Sequence, residues 1–339
     1  MPAITDQLSI KTPLQPIYLL QGTQDYLIKY VRKKIVELAV LPEDRDLNLS
    51  VYDLNETPIE LAIEDAMTLP FLGDKKVIVL INPSFLTGEA KKQKVEHHLD
   101  EFLTYISEPS PDTILVIEAP YEKLDKRKKI VKSLESGSQT FSLNQLSEES
   151  LFQLLKDEGQ SLNAIYTKGA HDRLLALVGF NVAQLVNEIH KLALYVGDQR
   201  EIKEEDVEVL ATRSLESNVF DLVNHVLKRR ADLAIQLLQD LFKQKQEPIR
   251  LLALITRQVR IMLQTLLYQK QGYTQKEIAS RLKLHPYAVK IAAELGRTFQ
   301  PDQLKQTLIW CSDTDYGMKT GREEKEVALQ LLIHRIASL

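Results

Sequence analysis

Five strand-length apolar segments, separated by stretches of helical periodicity, all fall within the first 145 residues of this 339-residue chain. Residues 76–81 (Lys-Val-Ile-Val-Leu-Ile) and 113–117 (Thr-Ile-Leu-Val-Ile) are continuous apolar runs. Such runs suit strands buried on both faces of a parallel sheet. Residues 16–20 (Pro-Ile-Tyr-Leu-Leu) end near Gly22, residues 47–52 (Leu-Asn-Leu-Ser-Val-Tyr) alternate as a strand does, and residues 140–143 (Thr-Phe-Ser-Leu) give a last strand. Between them, Leu27, Val31 and Ile35 step by four along one helical face. Thr57-Pro58-Ile59-Glu60 offers a Thr cap, a proline at the first helical position and a Glu three residues after the cap. That helix should run to about Thr68, because Pro70 disfavours helix in the residue before it. The alternation predicts an α/β domain with helices on both faces of the sheet.

After Ser147 the strand signal stops. Helices are expected at about 147–157, 165–177, 181–195 and 203–211, with Gly179 and Gly197 as punctuation and Leu185, Ile189 and Leu192 at helical spacing. From Ser217 the chain is helical again, broken at Pro248, Gly272, Pro286, Pro301 and Gly317. A long helix over 248–270 carries Leu251, Leu254, Ile255, Val259, Met262, Leu263 and Leu266 on one face. The expected division is an α/β domain at 1–145 and helical domains at 146–213 and 214–339. Cys311 is the only cysteine, which excludes an intrachain disulfide and a cysteine-based zinc site. A net charge of −4 argues against a surface that coats nucleic acid throughout, though not against a local basic patch. The first residues lack an apolar stretch of signal-peptide length, and no run approaches the roughly 18 apolar residues of a membrane helix. A soluble, cytoplasmic protein is therefore expected.

A nucleotide-binding P-loop needs GxxxxGK[ST] between the first strand and helix, so that backbone N–H groups wrap the phosphates and the Lys neutralises them. Here that turn is Gln21-Gly22-Thr23-Gln24-Asp25-Tyr26-Leu27-Ile28, with one Gly and no Lys, and Asp25 would repel a phosphate. The strand over 77–81 is followed by Asn82-Pro83 and not by a magnesium-binding carboxylate, while Glu118 stands alone beyond the next run. Neither GxSxG nor HExxH occurs. His97-His98 fits a solvated helix face, and Glu148-Glu149 and Glu204-Glu205 fit helix starts, where they complement the dipole. No catalytic residue, metal ligand or cofactor site is expected. The basic run Lys123, Lys126, Arg127, Lys128 and Lys129 reads as a solvated face.

Two segments invite a binding function. In Met67-Thr68-Leu69-Pro70-Phe71-Leu72-Gly73-Asp74, large apolar side chains sit in a turn and not on a periodic face. They either fold back into the core or form an exposed wedge, stiffened by Pro70, that inserts into a partner's pocket. Residues 274–289 resemble a helix-turn-helix, with a capping box at Thr274/Glu277, Ala279, Leu284 and Val289 at the packing positions, and Lys276, Arg281, Lys283 and Lys290 adding positive charge. A DNA-binding regulator is the alternative that this segment suggests. His285-Pro286-Tyr287 is an unusual opening for a base-reading helix.

In order and spacing, the chain resembles the delta-subunit family of bacterial DNA polymerase III clamp loaders. The match rests on Pro16-Ile-Tyr-Leu-Leu-Gln-Gly, Ala66-Met-Thr-Leu-Pro-Phe-Leu, Glu122-Lys-Leu-Asp-Lys-Arg-Lys-Lys, Asn187-Glu-Ile-His-Lys-Leu-Ala-Leu-Tyr, Gly272-Tyr-Thr-Gln-Lys-Glu-Ile-Ala, His285-Pro-Tyr-Ala-Val-Lys and Asp315-Tyr-Gly-Met-Lys-Thr-Gly. The resemblance implies an AAA+ (RecA-like) parallel-sheet domain with a degenerate nucleotide site, a small helical lid domain, and a C-terminal helical collar domain. It implies a non-hydrolysing part of a DNA polymerase holoenzyme, a nucleotidyltransferase complex, that grips and opens the sliding clamp during replication. Its partners would be the beta clamp, the ATPase subunits gamma/tau and delta prime in a hetero-pentamer, and primer-template DNA through the assembled complex, with no membrane. The clamp-binding residues would be Leu69, Pro70, Phe71 and Leu72. Pro70 is an extra residue between the two apolar positions of some family members, so Phe71 and Leu72 both remain candidates for the deeper anchor. The helix-turn-helix look-alike would then be a hairpin within the collar.

Overall fold

The five apolar segments assemble into one parallel sheet in the order β2-β3-β4-β1-β5, with β1 Ile17–Gln21, β2 Leu49–Asp53, β3 Lys76–Ile81, β4 Thr113–Ala119 and β5 Gln139–Ser142. The computed structural model describes residues 7–71, 73–88, 95–144, 146–198, 200–284, 286–297 and 299–339, and of Tyr287 the backbone alone. Ile17, Leu19, Ile78, Leu80, Leu115 and Ile117 bury one face of the sheet beneath α3 (Ile59–Met67), α4 (Leu99–Ser107) and α5 (Lys129–Gly137). Strand residues alternate between faces, so Tyr18, Leu20, Val77, Val79 and Val116 turn to the other side. There α1 (Asp25–Ala39) packs on β1, β3 and β4 through the expected Leu27, Val31 and Ile35. The α/β expectation holds, with helices on both faces.

Three local expectations give way. Leu47 and Asn48 do not join β2; they end a short helix, α2 (Arg45–Asn48). Their alternation with Leu49 and Val51 is a coincidence of a helix running into a strand, and Asn48 is buried to 2% exposure. The second concerns α3, which begins one residue later than its capping pattern suggests, with Pro58 as N-cap and no side-chain cap. The Ile59 N–H instead donates to His97 Nδ1 at 3.2 Å, and Glu60 accepts from the His98 backbone at 2.7 Å and contacts its ring. An imidazole from elsewhere satisfies the orphan helix donor that a local Thr would otherwise take. His97 and His98 thus precede α4 and are not a helix face; His97 also lies edge-on to Phe85.

The chain divides into a compact unit ending at Glu158 and a second beginning at Gly159, with α6 (Glu148–Ser161) running through the boundary. In the second unit, α7 (Lys168–Val178), α8 (Val182–Val196) and α9 (Glu204–Leu210) match the expected helices closely. A two-residue parallel pair, β6 (Ile165–Tyr166) with β7 (Glu201–Ile202), joins them, so α7 starts at Lys168, capped by the Thr167 hydroxyl. Two residues are too short to carry a period, which is why this pair is invisible in the sequence. Helices α10 (Leu215–Leu227), α11 (Ala231–Lys243), α12 (Pro248–Lys270), α13 (Gln275–Leu282), α14 (Pro286–Gly296), α15 (Pro301–Thr320) and α16 (Lys325–Ala337) complete it. Leu222, Leu238, Met262, Leu304, Leu329 and Ile333 are fully buried in the core of these last helices, and Cys311 is buried in the same cluster. Among the described residues, no helix is long and apolar enough to cross a membrane.

Candidate functional site

The turn after β1 is where a P-loop would hold phosphates, and its backbone donors are already engaged. Gly22 N donates to Ala119 O at 3.1 Å, Thr23 N to Asn144 Oδ1 at 3.1 Å, and Gln24 N to Leu143 O at 3.3 Å. A Cβ on Gly22 would lie 2.3 Å from the carbonyl carbon of Leu143, so this glycine serves close approach of two backbones. Asp25 opens α1 and pairs with Lys29 at 2.8 Å. At the magnesium position Asn82, at φ 59°, directs its amide to Asp53 Oδ1 at 3.0 Å. Glu118 lies within β4 and not beyond it, nearly buried, with Arg32 Nη1 3.1 Å away. Burial pushes its carboxyl up and the Arg32 charge opposes that. The Glu118 carboxylate therefore faces a guanidinium.

The apolar turn has the opposite character: polar contacts fix its start and the Phe71 backbone, while the Leu69 and Phe71 side chains stand exposed. Helix α3 ends at Met67, and its last carbonyls lack intrahelical donors. The buried Thr113 hydroxyl donates to Ala66 O at 2.7 Å, and the Lys76 ammonium donates to Asp65 O. Lys76 Nζ also reaches Asp65 Oδ1 at 3.0 Å and Thr68 Oγ1 at 2.6 Å, and Tyr52 OH donates to Asp65 Oδ2 at 2.9 Å. Lys76 is 5% exposed, at the first position of β3. Burial alone would raise the Asp65 carboxyl, but hydrogen bonds from Lys76 and Tyr52 and the Lys76 charge hold it below the ordinary aspartate value. Burial and the Asp65 bond push the Tyr52 hydroxyl up to about 12.

Beyond this anchor, Leu69 is 78% and Phe71 74% exposed, while the Pro70 ring between them is half-buried. Met67, at the end of α3, is 71% exposed, a third apolar side chain at the same corner. Its exposure is not legible in the sequence, because it falls inside the helical run. The Phe71 N–H donates to Asn48 Oδ1 at 2.9 Å, and Gly73 takes φ +74°. Leu72 lies outside the described residues.

The other sequence candidates are held by structural contacts. Arg127 folds onto Asp125 at 2.8 Å, Lys126 pairs with Glu135 at 2.7 Å, and Lys128 donates to Phe85 O and Thr87 O at 2.8 and 2.7 Å. Much of that basic run thus neutralises or ties down its own neighbourhood. In the helix-turn-helix segment the capping box forms as expected, with Thr274 N to Glu277 Oε2 at 2.8 Å. The Arg281 guanidinium, however, lies 4.3 Å from the Tyr273 ring centre and 5.8 Å from that of Tyr268. Val289, Ala292 and Ala293 of α14 are buried, so this helix is committed to packing. His285 and the Tyr287 side chain lie outside the described residues. A cleft of about 520 Å³ in the second unit is lined by Phe180, Phe220 and Ile261 with Arg173 and Arg213. Both arginines pair with Glu208, and Arg213 also with Asp221, so these two cations are already compensated.

Comparison with known proteins agrees across the chain. The family described as DNA polymerase III, delta subunit, matches residues 18–144, and a second, described as the C-terminal domain of the DNA polymerase III delta subunit, matches residues 216–336. The DNA polymerase III subunit delta of Bacillus subtilis (strain 168) is 39% identical over 323 residues, covering 95% of this chain and 93% of that one. A probable DNA polymerase III subunit delta of Aquifex aeolicus (strain VF5) is 23% identical over 250 residues, 73% and 69% of the two chains. The solved Bacillus subtilis DNA clamp loader delta protein superposes with a TM-score of 0.74 at 38% identity, covering 99% of each chain.

Three outcomes follow from this geometry. Titration calorimetry with magnesium and ATP should give no saturable binding by the isolated chain; a saturable isotherm would contradict the engaged turn. Gly22→Ala should lower unfolding free energy by about 3 kcal/mol, read by urea denaturation, because two backbones must separate. Asp65→Asn leaves the buried Lys76 ammonium without its counter-charge and should lose about 2 kcal/mol, less than a fully buried pair because Asp65 keeps some solvent contact. The Asp65 value is depressed in the folded state, so its contribution is full above the unfolded value near pH 4 and fades as pH falls through the folded value. The gap between wild type and Asp65→Asn should therefore narrow on acidification.

Proposed function

Because the chain belongs to the DNA polymerase III delta-subunit family, we propose that it binds the sliding clamp through the Leu69–Phe71 corner and opens the ring without hydrolysing ATP itself. One observation carries this reading: two large apolar side chains, 78% and 74% exposed, project from a turn whose backbone is fixed by buried groups. Exposed apolar groups of this kind are costly in a free subunit and suit a partner's pocket. Pro70 limits the backbone between them, so little order remains to be imposed on binding. Leu72 is proposed as part of the same contact.

A closed ring is held shut at its own interface. A wedge that binds an open-compatible shape better than the closed one shifts the balance by the difference in the two affinities. The chain needs no nucleotide for this; the timing would come from ATP held by partner ATPase subunits, gamma/tau, with delta prime completing a hetero-pentamer. In that assembly the segment 1–145 would be the clamp-binding AAA+ domain, 146–213 the lid and 214–339 the collar, where the α13–α14 hairpin would pack. Primer-template DNA would be met through the assembled complex, by phosphate contacts and not base reading. The cation–π engagement of Arg281 and the packed face of α14 favour this over a sequence-reading regulator.

Burial of Leu69 and Phe71 should contribute roughly 1.5–3 kcal/mol each. Leu69→Ala with Phe71→Ala should then weaken clamp binding by about 10²- to 10⁴-fold. Surface plasmon resonance of the purified chain over immobilised clamp, without nucleotide, reads this directly. Unchanged affinity in the double variant would reject the corner as the contact.

A further inference from the structure

The polar groups behind the corner divide into two sets. Lys76, Thr113 and Thr68 fix the end of α3, whereas a single described side chain, Asn48, reaches the backbone of Phe71 itself. Asn48 ends α2, immediately before edge strand β2, and is 2% exposed. Its Oδ1 accepts from the Phe71 N–H at 2.9 Å, which leaves the ring directed outward and 74% exposed. On the far side, Gly73 holds φ +74°, where an L side chain is strained, and a Cβ there would meet no atom closer than Asp44 Oδ2 at 3.5 Å. The glycine is thus required by conformation and not by space.

We propose that Asn48 and Gly73 are positioning residues for clamp binding: they hold the Phe71 backbone in its binding conformation in the free subunit, so that the ring docks without the turn having to order. This rests on the reading that Leu69 and Phe71 meet the clamp. Neither positioning residue offers an apolar contact to a partner. Their effect comes from pre-organisation, since ordering a loose turn at the moment of binding reduces affinity while leaving its contacts intact.

The test uses the full chain with two readouts. Asn48→Ala should speed hydrogen exchange of the Phe71 amide in the free protein, while amides of β3 and β4 keep their protection. It should weaken clamp binding roughly three- to tenfold, the range expected from one lost hydrogen bond. Asn48→Asp retains an acceptor oxygen and should restore both. Should Asn48→Ala fail to fold, Gly73→Ala gives the same pair of readouts, and Gly73→Asn, which tolerates the left-handed region, should be the milder variant. Unchanged Phe71 exchange, or unchanged affinity in variants whose exchange has risen, overturns the proposal. The exchange measurement needs no clamp. Wild-type binding by Leu69→Ala with Phe71→Ala would instead overturn the wedge reading, so the two failures are distinguishable.

Discussion

The corner depends on one buried cation. Lys76 opens β3, yet its ammonium turns back to the end of α3, where it meets the Asp65 carbonyl, the Asp65 carboxylate and the Thr68 hydroxyl. A helix that ends facing solvent would fray, and apolar residues attached to it would collapse onto the nearest greasy surface. Fixing the end to the sheet keeps Met67, Leu69 and Phe71 outside. Desolvating an ammonium is expensive, and here those three acceptors, one of them the charged Asp65 carboxylate, offset that cost. The arrangement is thus better understood as a device for direction than as a source of stability.

The turn after β1 in the same sheet is occupied by the chain's own contacts. Where a P-loop would hold phosphates, the amides of Gly22, Thr23 and Gln24 bond to the protein's own oxygens. Arg32 stands beside Glu118, where a cation-binding carboxylate would have to be free. What remains is a rigid platform, whose opposite edge, around α2, β2 and the turn after α3, carries the exposed apolar groups. That division suits the clamp-binding role proposed above.

Much of this is legible in the sequence, and the failures have physical causes. Continuous runs such as 76–81 and 113–117 suit strands buried on both faces, and with the helical stretches between them they point to the α/β class. The 248–270 face is the buried side of α12, with Leu254 half-buried at its margin. The start of α3 is not legible because caps are chosen by proximity in space: His97 reaches the Ile59 amide from 38 residues away, and no local pattern reports it. Asn48 passes for a strand residue because a helix–strand junction can imitate alternation. The turn 67–74 stands out for its apolar residues off any periodic face, but a sequence does not say which way they point. Lys76 and Asn48 decide that, and both act through buried contacts that no local pattern encodes.

The central claim is that the Phe71 ring itself enters the clamp. A photoreactive phenylalanine analogue placed at position 71 of the full chain, irradiated with the clamp in the absence of nucleotide, tests it most directly. The account predicts a covalent adduct to the clamp in high yield, suppressed by excess unmodified chain. A variant that binds the clamp with normal affinity yet yields no adduct from position 71 would contradict it.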